Sequence, residues 1–203
     1  MIARLLKRFP VAYHLKRRFV VIFAVVLLLL IYFFKDASTP LRVLAASGFM
    51  AALYAVDHGF DVRLKPRHYI FMLIIAIASF ILSPLYYIYP NYDKIQHFIQ
   101  PIFVGTIILY MVSYLHIERK YRLLLAFMVT VAILGLFEIG EYYLDYLFDL
   151  KLQGVYLRDY RGLDKFNLIV ERIDDTMTDM ALGVLGSGLY FLTQGVLGRR
   201  RNH

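Results

Sequence analysis

Cysteine and tryptophan are both absent from the 203-residue sequence, and only 19% of its residues are charged. Without cysteine there is no disulfide scaffold. Little charge beside 60% hydrophobic residues excludes an ordinary soluble domain, in which about a quarter of residues are charged and roughly half are apolar. Disorder is excluded on the same ground, because disordered chains are poor in the apolar residues abundant here. The apolar runs lack the period-two alternation of an outer-membrane barrel. No small-x-small cleavage site follows the basic and apolar stretch 1–34, which argues against a removable signal peptide. Internal repeats, low-complexity tracts and Gly/Pro/Ser linkers are also missing, so residues 1–203 read as a single membrane domain.

What remains is a succession of apolar blocks, each approaching the roughly 20 residues that a membrane-spanning helix requires. They predict an all-α fold, a polytopic transmembrane helical bundle of six spans at about 19–34, 41–57, 69–90, 94–115, 121–147 and 174–197. The second is the shortest, since only the stretch between Arg42 and Asp57 is free of charge. A long outer loop, 148–173, joins the last two, and a loop of that length inside a compact domain is usually functional.

The net charge of +8 would suggest nucleic acid in a soluble protein. Here its distribution reports topology instead. With six spans, fifteen of the 23 Lys and Arg fall on the side shared by both termini, the 57–68 loop and the 116–122 loop. The positive-inside rule then places both termini in the cytoplasm and predicts a multi-pass protein of a prokaryotic plasma (inner) membrane, with membrane lipids rather than nucleic acid as its surroundings. The basic stretch Arg4–Arg18 reads as a topology anchor, with an amphipathic helix on the anionic inner leaflet as the alternative.

Ionisable groups within spans are costly and mark function. On the fourth span Asp93, His97 and Gln100 stand at i, i+4 and i+7, one face of its outer end. On the fifth, Glu138, Glu141 and Asp145 stand at i, i+3 and i+7; on the sixth, Asp175 and Asp179 are four apart near its start. If the three helices pack together, five or more carboxylates and a histidine converge, with Lys94, Arg158, Arg161 or Arg172 nearby to offset them. Such carboxylates cannot all stay ionised at low dielectric without protons or cations. Imidazole and carboxylates at these spacings are how helical bundles build metal sites, and the oxygen-rich set suits Mg, Mn, Ca, Zn or Fe(II). A proton- or ion-coupled cluster and a structural hydrogen-bond network are the alternatives.

Other features have simpler readings. Asp57, His58 and Asp61 end the second span beside Arg63 and Lys65, and read as solvated or paired groups. His68 and His116 read as interface residues. Tyr86, Tyr87, Tyr89 and Tyr92, with Tyr142, Tyr143 and Tyr146, fit an interfacial aromatic belt better than a substrate groove. Gly183, Gly186 and Gly188, with Gly135 and Gly140, would allow close helix contact. Pro84 and Pro101 are candidate kinks.

The motifs Tyr92-Asp93-Lys94-Ile95-Gln96-His97-Phe98, Phe137-Glu138-Ile139-Gly140-Glu141-Tyr142 and Asp174-Asp175-Thr176-Met177-Thr178-Asp179-Met180, the last followed by Leu185-Gly186, resemble in order and spacing the YjdF-like family of small inner-membrane proteins. The similarity extends across roughly residues 70–192. A more distant similarity is to VanZ-like proteins, which are linked to glycopeptide tolerance and hence to the cell envelope. The resemblance implies a multi-span helical bundle of uncharacterised activity and carries over Asp93, His97, Glu138, Glu141, Asp175 and Asp179. The chain departs from it in having Ser83-Pro84-Leu85-Tyr86-Tyr87 where a late histidine of the third span is usual, and Tyr142 where tryptophan is often found.

The leading expectation is a divalent metal ion at the outer face, held by His97, Asp93, Glu138, Glu141, Asp175 and Asp179. Asp93 serves either as a ligand or as the group that orients His97. Glu138 and Glu141 are the candidate catalytic bases, and Arg158 and Arg161 the candidate substrate-binding residues for a phosphate. The corresponding activity is a metal-dependent hydrolase or transferase acting on a lipid or envelope precursor. The alternatives are a cation- or proton-coupled binding or transport module, for which six spans would call for a homo-oligomer, and a non-catalytic structural membrane protein.

Overall fold

Three of the helical elements begin at or beside a proline, at Pro40, Pro66 and Pro84, whereas Pro101 lies within a helix. The computed structural model describes residues 18, 19, 22, 23, 26, 39–148, 151–158 and 166–200. These residues are mostly helical. They fall into two packing units, Met1–Ile81 and Leu82–His203.

In the first unit, helix α1 (Thr39–Gly59) starts beside Pro40 and ends at a glycine, placements that favour helix starts and stops respectively. Asp61 and Arg63 take positive φ in the turn that follows, at 48° and 59°. That turn is tied down by Asp57, which is fully buried. Its Oδ1 accepts from the Leu64 amide at 2.8 Å and its Oδ2 from the Tyr69 hydroxyl at 2.7 Å. Asp61 pairs instead with exposed Arg63 at 2.9 Å. Helix α2 (Pro66–Ala76) opens with proline, and His68 Nδ1 accepts from the Lys65 amide at 3.2 Å. His68, at this helix end, is fully buried within the protein.

Helix α2 widens into a π-helical segment, Ile77–Ile81. The second unit begins with a 3₁₀ turn, Ser83–Tyr87. The expected continuous span 69–90 is thus broken. Pro84 has no N–H to donate and disfavours helical geometry at Ser83, so the α-helix cannot continue through it.

Helix α3 (Tyr92–Val112) carries Pro101 internally, fully buried. Helix α4 (Arg119–Phe148) has 30 residues, which at 1.5 Å per residue is about 45 Å. Strands β1 (Val155–Arg158) and β2 (Phe166–Val170) pair antiparallel, Tyr156 opposite Leu168 and Arg158 opposite Phe166. Helix α5 (Arg172–Arg200) follows, with its largest interface against α3, and α4 packs on both.

The expected outer loop therefore holds a β-hairpin. Its base is fixed to α4 by Asp145, whose carboxylate accepts from the Leu152 and Gln153 amides at 2.7 and 2.9 Å. Gly154 (φ 89°) leaves that base through a left-handed conformation. A side chain there would also press on Leu168 and the Val170 carbonyl at 3.2 Å.

Three of the described helices are long and apolar enough to cross a membrane: Tyr92–Val112, Arg119–Phe148 and Arg172–Gly198. Pro66–Ile81 is apolar but shorter. Helix α1 covers the expected second span, yet its uncharged stretch between Arg42 and Asp57 is short. The expected span 19–34 lies outside the described residues except at residues 19, 22, 23 and 26, all helical.

Candidate functional site

The polar face of α3 is built by helical spacing, since residues four apart differ by only about 40° around the axis. Asp93 and His97 accordingly meet, with Oδ1 3.3 Å from Nε2. The other ring nitrogen, Nδ1, lies 3.5 Å from Oε1 of Glu138 on α4. The imidazole thus bridges carboxylates from two helices, and Phe137 presents its ring edge-on to it at a centroid distance of 6.3 Å. Glu138 also pairs with the Thr176 hydroxyl on α5.

Lys94, one residue beyond Asp93, turns toward α5. Its Nζ lies 2.9 and 3.0 Å from the two carboxylate oxygens of Asp179, bonds Asp175 Oδ1, and is 3.8 Å from Asp93. Asp175 Oδ2 accepts in turn from the Gly154 amide at 2.7 Å. Gln153 donates from Nε2 to Thr176 Oγ1 at 3.0 Å. The hairpin base is therefore bonded to the same stretch of α5 that carries the acidic groups.

Two glycines bring these helices close enough. A Cβ on Gly186 would overlap the backbone carbonyl of Phe98, and one on Gly183 would stand 2.6 Å from Leu134 Cδ1 and 3.5 Å from the His97 carbonyl. The α5 backbone thus lies directly against the turn of α3 that carries His97. Gly135 and Gly140, expected to help in the same way, have no neighbour within 4 Å of such a Cβ, and Gly188 makes only an ordinary contact with Phe127.

Of the six residues expected as ligands, Asp93, His97 and Asp179 offer donor atoms within 4.8 Å of one another. Glu138 stands behind His97. Glu141 lies within electrostatic reach of Glu138, Asp93, His97 and Asp179. Asp175 is engaged by Lys94 and the Gly154 amide. Asp145 serves the hairpin. Arg158 closes strand β1, and Arg161 lies outside the described residues.

Two participants were not singled out in the sequence. Lys94 had appeared only as one of several nearby cations, although its place between Asp93 and His97 in the motif was a signal. Tyr86 had been assigned to the aromatic belt; the 3₁₀ turn carries it inward, where it pairs with Gln96, stacks edge-on to Tyr92 at 5.1 Å and lies near Asp93 and Glu141. Tyr142, Tyr143 and Tyr146 do remain exposed, as a belt requires.

Residues 15–200 match the family described as "Predicted membrane protein (DUF2238)". The chain belongs to this family. The YjdF-like resemblance is to the same DUF2238 family, and membrane localisation follows from it together with the three apolar helices. No curated protein and no solved structure matches the chain. In this DUF2238 member, then, the chemistry has to be argued from the cluster itself.

Proposed function

We propose that this protein binds a divalent metal ion through Asp93, His97 Nε2 and Asp179, and that it uses the site as a hydrolase or transferase on a phosphate-bearing lipid or envelope precursor. The observation that carries this reading is the convergence of those three donors from two helices within 4.8 Å. Donors bonded to one Zn or Mg ion at about 2.0–2.2 Å lie roughly 3–4.3 Å apart, so small side-chain rotations close the set. Glu138 fits the second position of a carboxylate–histidine–metal arrangement, accepting from Nδ1–H and presenting Nε2 to the ion. Among the described residues, the cationic partners of these five carboxylates in the cluster are Lys94 and His97, and that imbalance favours a cation. A divalent ion so held supplies Lewis acidity toward a phosphoryl or carbonyl oxygen.

The chain's own residues supply the rest. Glu141, near the cluster but bonded to none of its cations in the structure, is the better placed general base, whereas Glu138 orients His97. Arg158 and Arg161, in and beyond strand β1, are the proposed contacts for the substrate's anionic group.

Metal analysis of the purified protein tests this reading. About one equivalent of ion is expected in the wild type and in Glu141→Gln, and little in His97→Ala or Asp179→Asn. Outer-shell orienting groups typically contribute 10–100-fold to metal affinity, so Glu138→Gln should bind, but more weakly by about that factor. Absence of metal from the wild type under Mg, Mn and Zn loading would overturn the proposal. A cation- or proton-coupled binding module is favoured instead by one observation, that the imidazole sits between Asp93 and Glu138. That reading predicts ion or proton uptake without turnover.

We further propose six spans with cytoplasmic termini in a prokaryotic plasma membrane, which sets the cluster at the outer face. Glu138 lies nineteen residues along α4 from Arg119, or about 28 Å, roughly the thickness of the hydrocarbon core. Because the chain has no cysteine of its own, a single Glu171→Cys variant reports the side directly. An impermeant maleimide should label it in intact cells; labelling only after lysis places the cluster on the inner face.

A further inference from the structure

Lys94 is the one feature of the cluster that a bare metal site does not explain, because it occupies carboxylates that an ion would use. Its ammonium lies on both oxygens of Asp179 and on Oδ1 of Asp175, while Oδ2 of Asp175 is fixed by the Gly154 amide. The two aspartates are thereby unequal. Asp175 is anchored to the hairpin base and is almost fully buried. Asp179 stands among the donors of the candidate site, and among the described residues Lys94 is the cation bonded to both of its oxygens.

We propose that Lys94 is an exchangeable internal counter-cation: it neutralises Asp179 while the site is empty, and yields that carboxylate to an incoming divalent ion while remaining tethered to Asp175. This inference rests on the metal-binding reading above and deepens it. A dication bound to Asp179 needs at least one of the two oxygens on which the ammonium lies, and like charges at such separations repel strongly at low dielectric. One of them has to withdraw, and the lysine has both the flexible four-carbon stem and a second partner on which to withdraw. The Gly154 amide keeps Asp175 from following the ion, so the tether stays in place through the exchange. The arrangement also explains how five neighbouring carboxylates can fold before any metal arrives.

The test uses the full-length protein in detergent and Mn(II) as probe. In the wild type, saturating Mn(II) should raise the rate at which an N-hydroxysuccinimide ester acylates Lys94 severalfold, read by mass spectrometry against the exposed Lys120. Lys94→Met should bind Mn(II) at least about tenfold more tightly, by equilibrium dialysis, and should melt at a lower temperature without the ion than with it by a wider margin than the wild type. Lys94→Arg, which keeps the charge and can fork across both aspartates, should bind more weakly than the wild type. If Mn(II) binds the wild type but leaves Lys94 acylation unchanged, or if Lys94→Met binds no more tightly, the exchange is overturned and the metal site stands. If neither the wild type nor Lys94→Met binds the ion, both readings fall.

Discussion

Replacing Gly186 by alanine is expected to disrupt the α3–α5 interface outright. The new methyl would overlap the Phe98 carbonyl oxygen, which is backbone and cannot rotate away. The helices would have to separate by more than an ångström along the stretch that carries His97 on one side and Asp179 on the other. Overpacking a rigid contact costs about 1–3 kcal/mol, and occasionally more; a backbone collision belongs at the upper end. For a chain of this length that corresponds to a drop of roughly 10 °C in apparent melting temperature, measured in detergent. Gly188→Ala is the control, since its Cβ would meet only Phe127 at 3.9 Å and should change melting little. Equal behaviour of the two variants would contradict the close approach.

The second large effect is expected at Asp175. Alanine there removes one partner of the partly buried ammonium of Lys94 and the acceptor of the Gly154 amide together. Breaking a buried pair by deleting one member costs about 3–5 kcal/mol; with Lys94 and the Gly154 amide partly buried, the loss belongs at the lower end of that range, and the orphaned amide adds about 1 kcal/mol. Asparagine keeps an acceptor for Gly154 but loses the charge. The alanine variant should therefore lose both melting temperature and the protection of the Gly154 amide from hydrogen exchange, and the asparagine variant mainly the first. Unchanged protection of the Gly154 amide in the alanine variant would show that Asp175 does not hold the hairpin.

How much of this was legible in advance is best seen residue by residue. The faces Asp93/His97, Glu138/Glu141 and Asp175/Asp179 follow from helical periodicity, a local property that needs no knowledge of partners. Their convergence was inferable only as a coincidence of costly groups. The long helices α4 and α5 were legible for the same reason of continuous apolar length. The break at Pro84 was a candidate kink, but its consequence, the inward turn of Tyr86, depends on what packs beneath it. The hairpin was missed because two short strands of four and five residues, stapled by Asp145 and Gly154, leave almost no periodic signal of their own. Asp145 itself shares the helical face of Glu138, and periodicity alone could not separate a turn-binding carboxylate from a site residue.

The scarcity of charge, the absence of cysteine and the apolar blocks by themselves determined that this is a helical membrane protein, because the cost of exposing such runs to water admits few other outcomes. The order of its acidic motifs determined which residues the chemistry could involve. Tertiary structure alone decided their division of labour. Asp93, His97 and Asp179 face one another, Glu138 backs the imidazole, Asp175 anchors Lys94 to the hairpin, and Asp145 holds the hairpin to α4. Spacing along a helix sets the direction in which a side chain leaves its own axis, whereas its partner is set by the distance to the next helix, and here Gly183 and Gly186 set that distance.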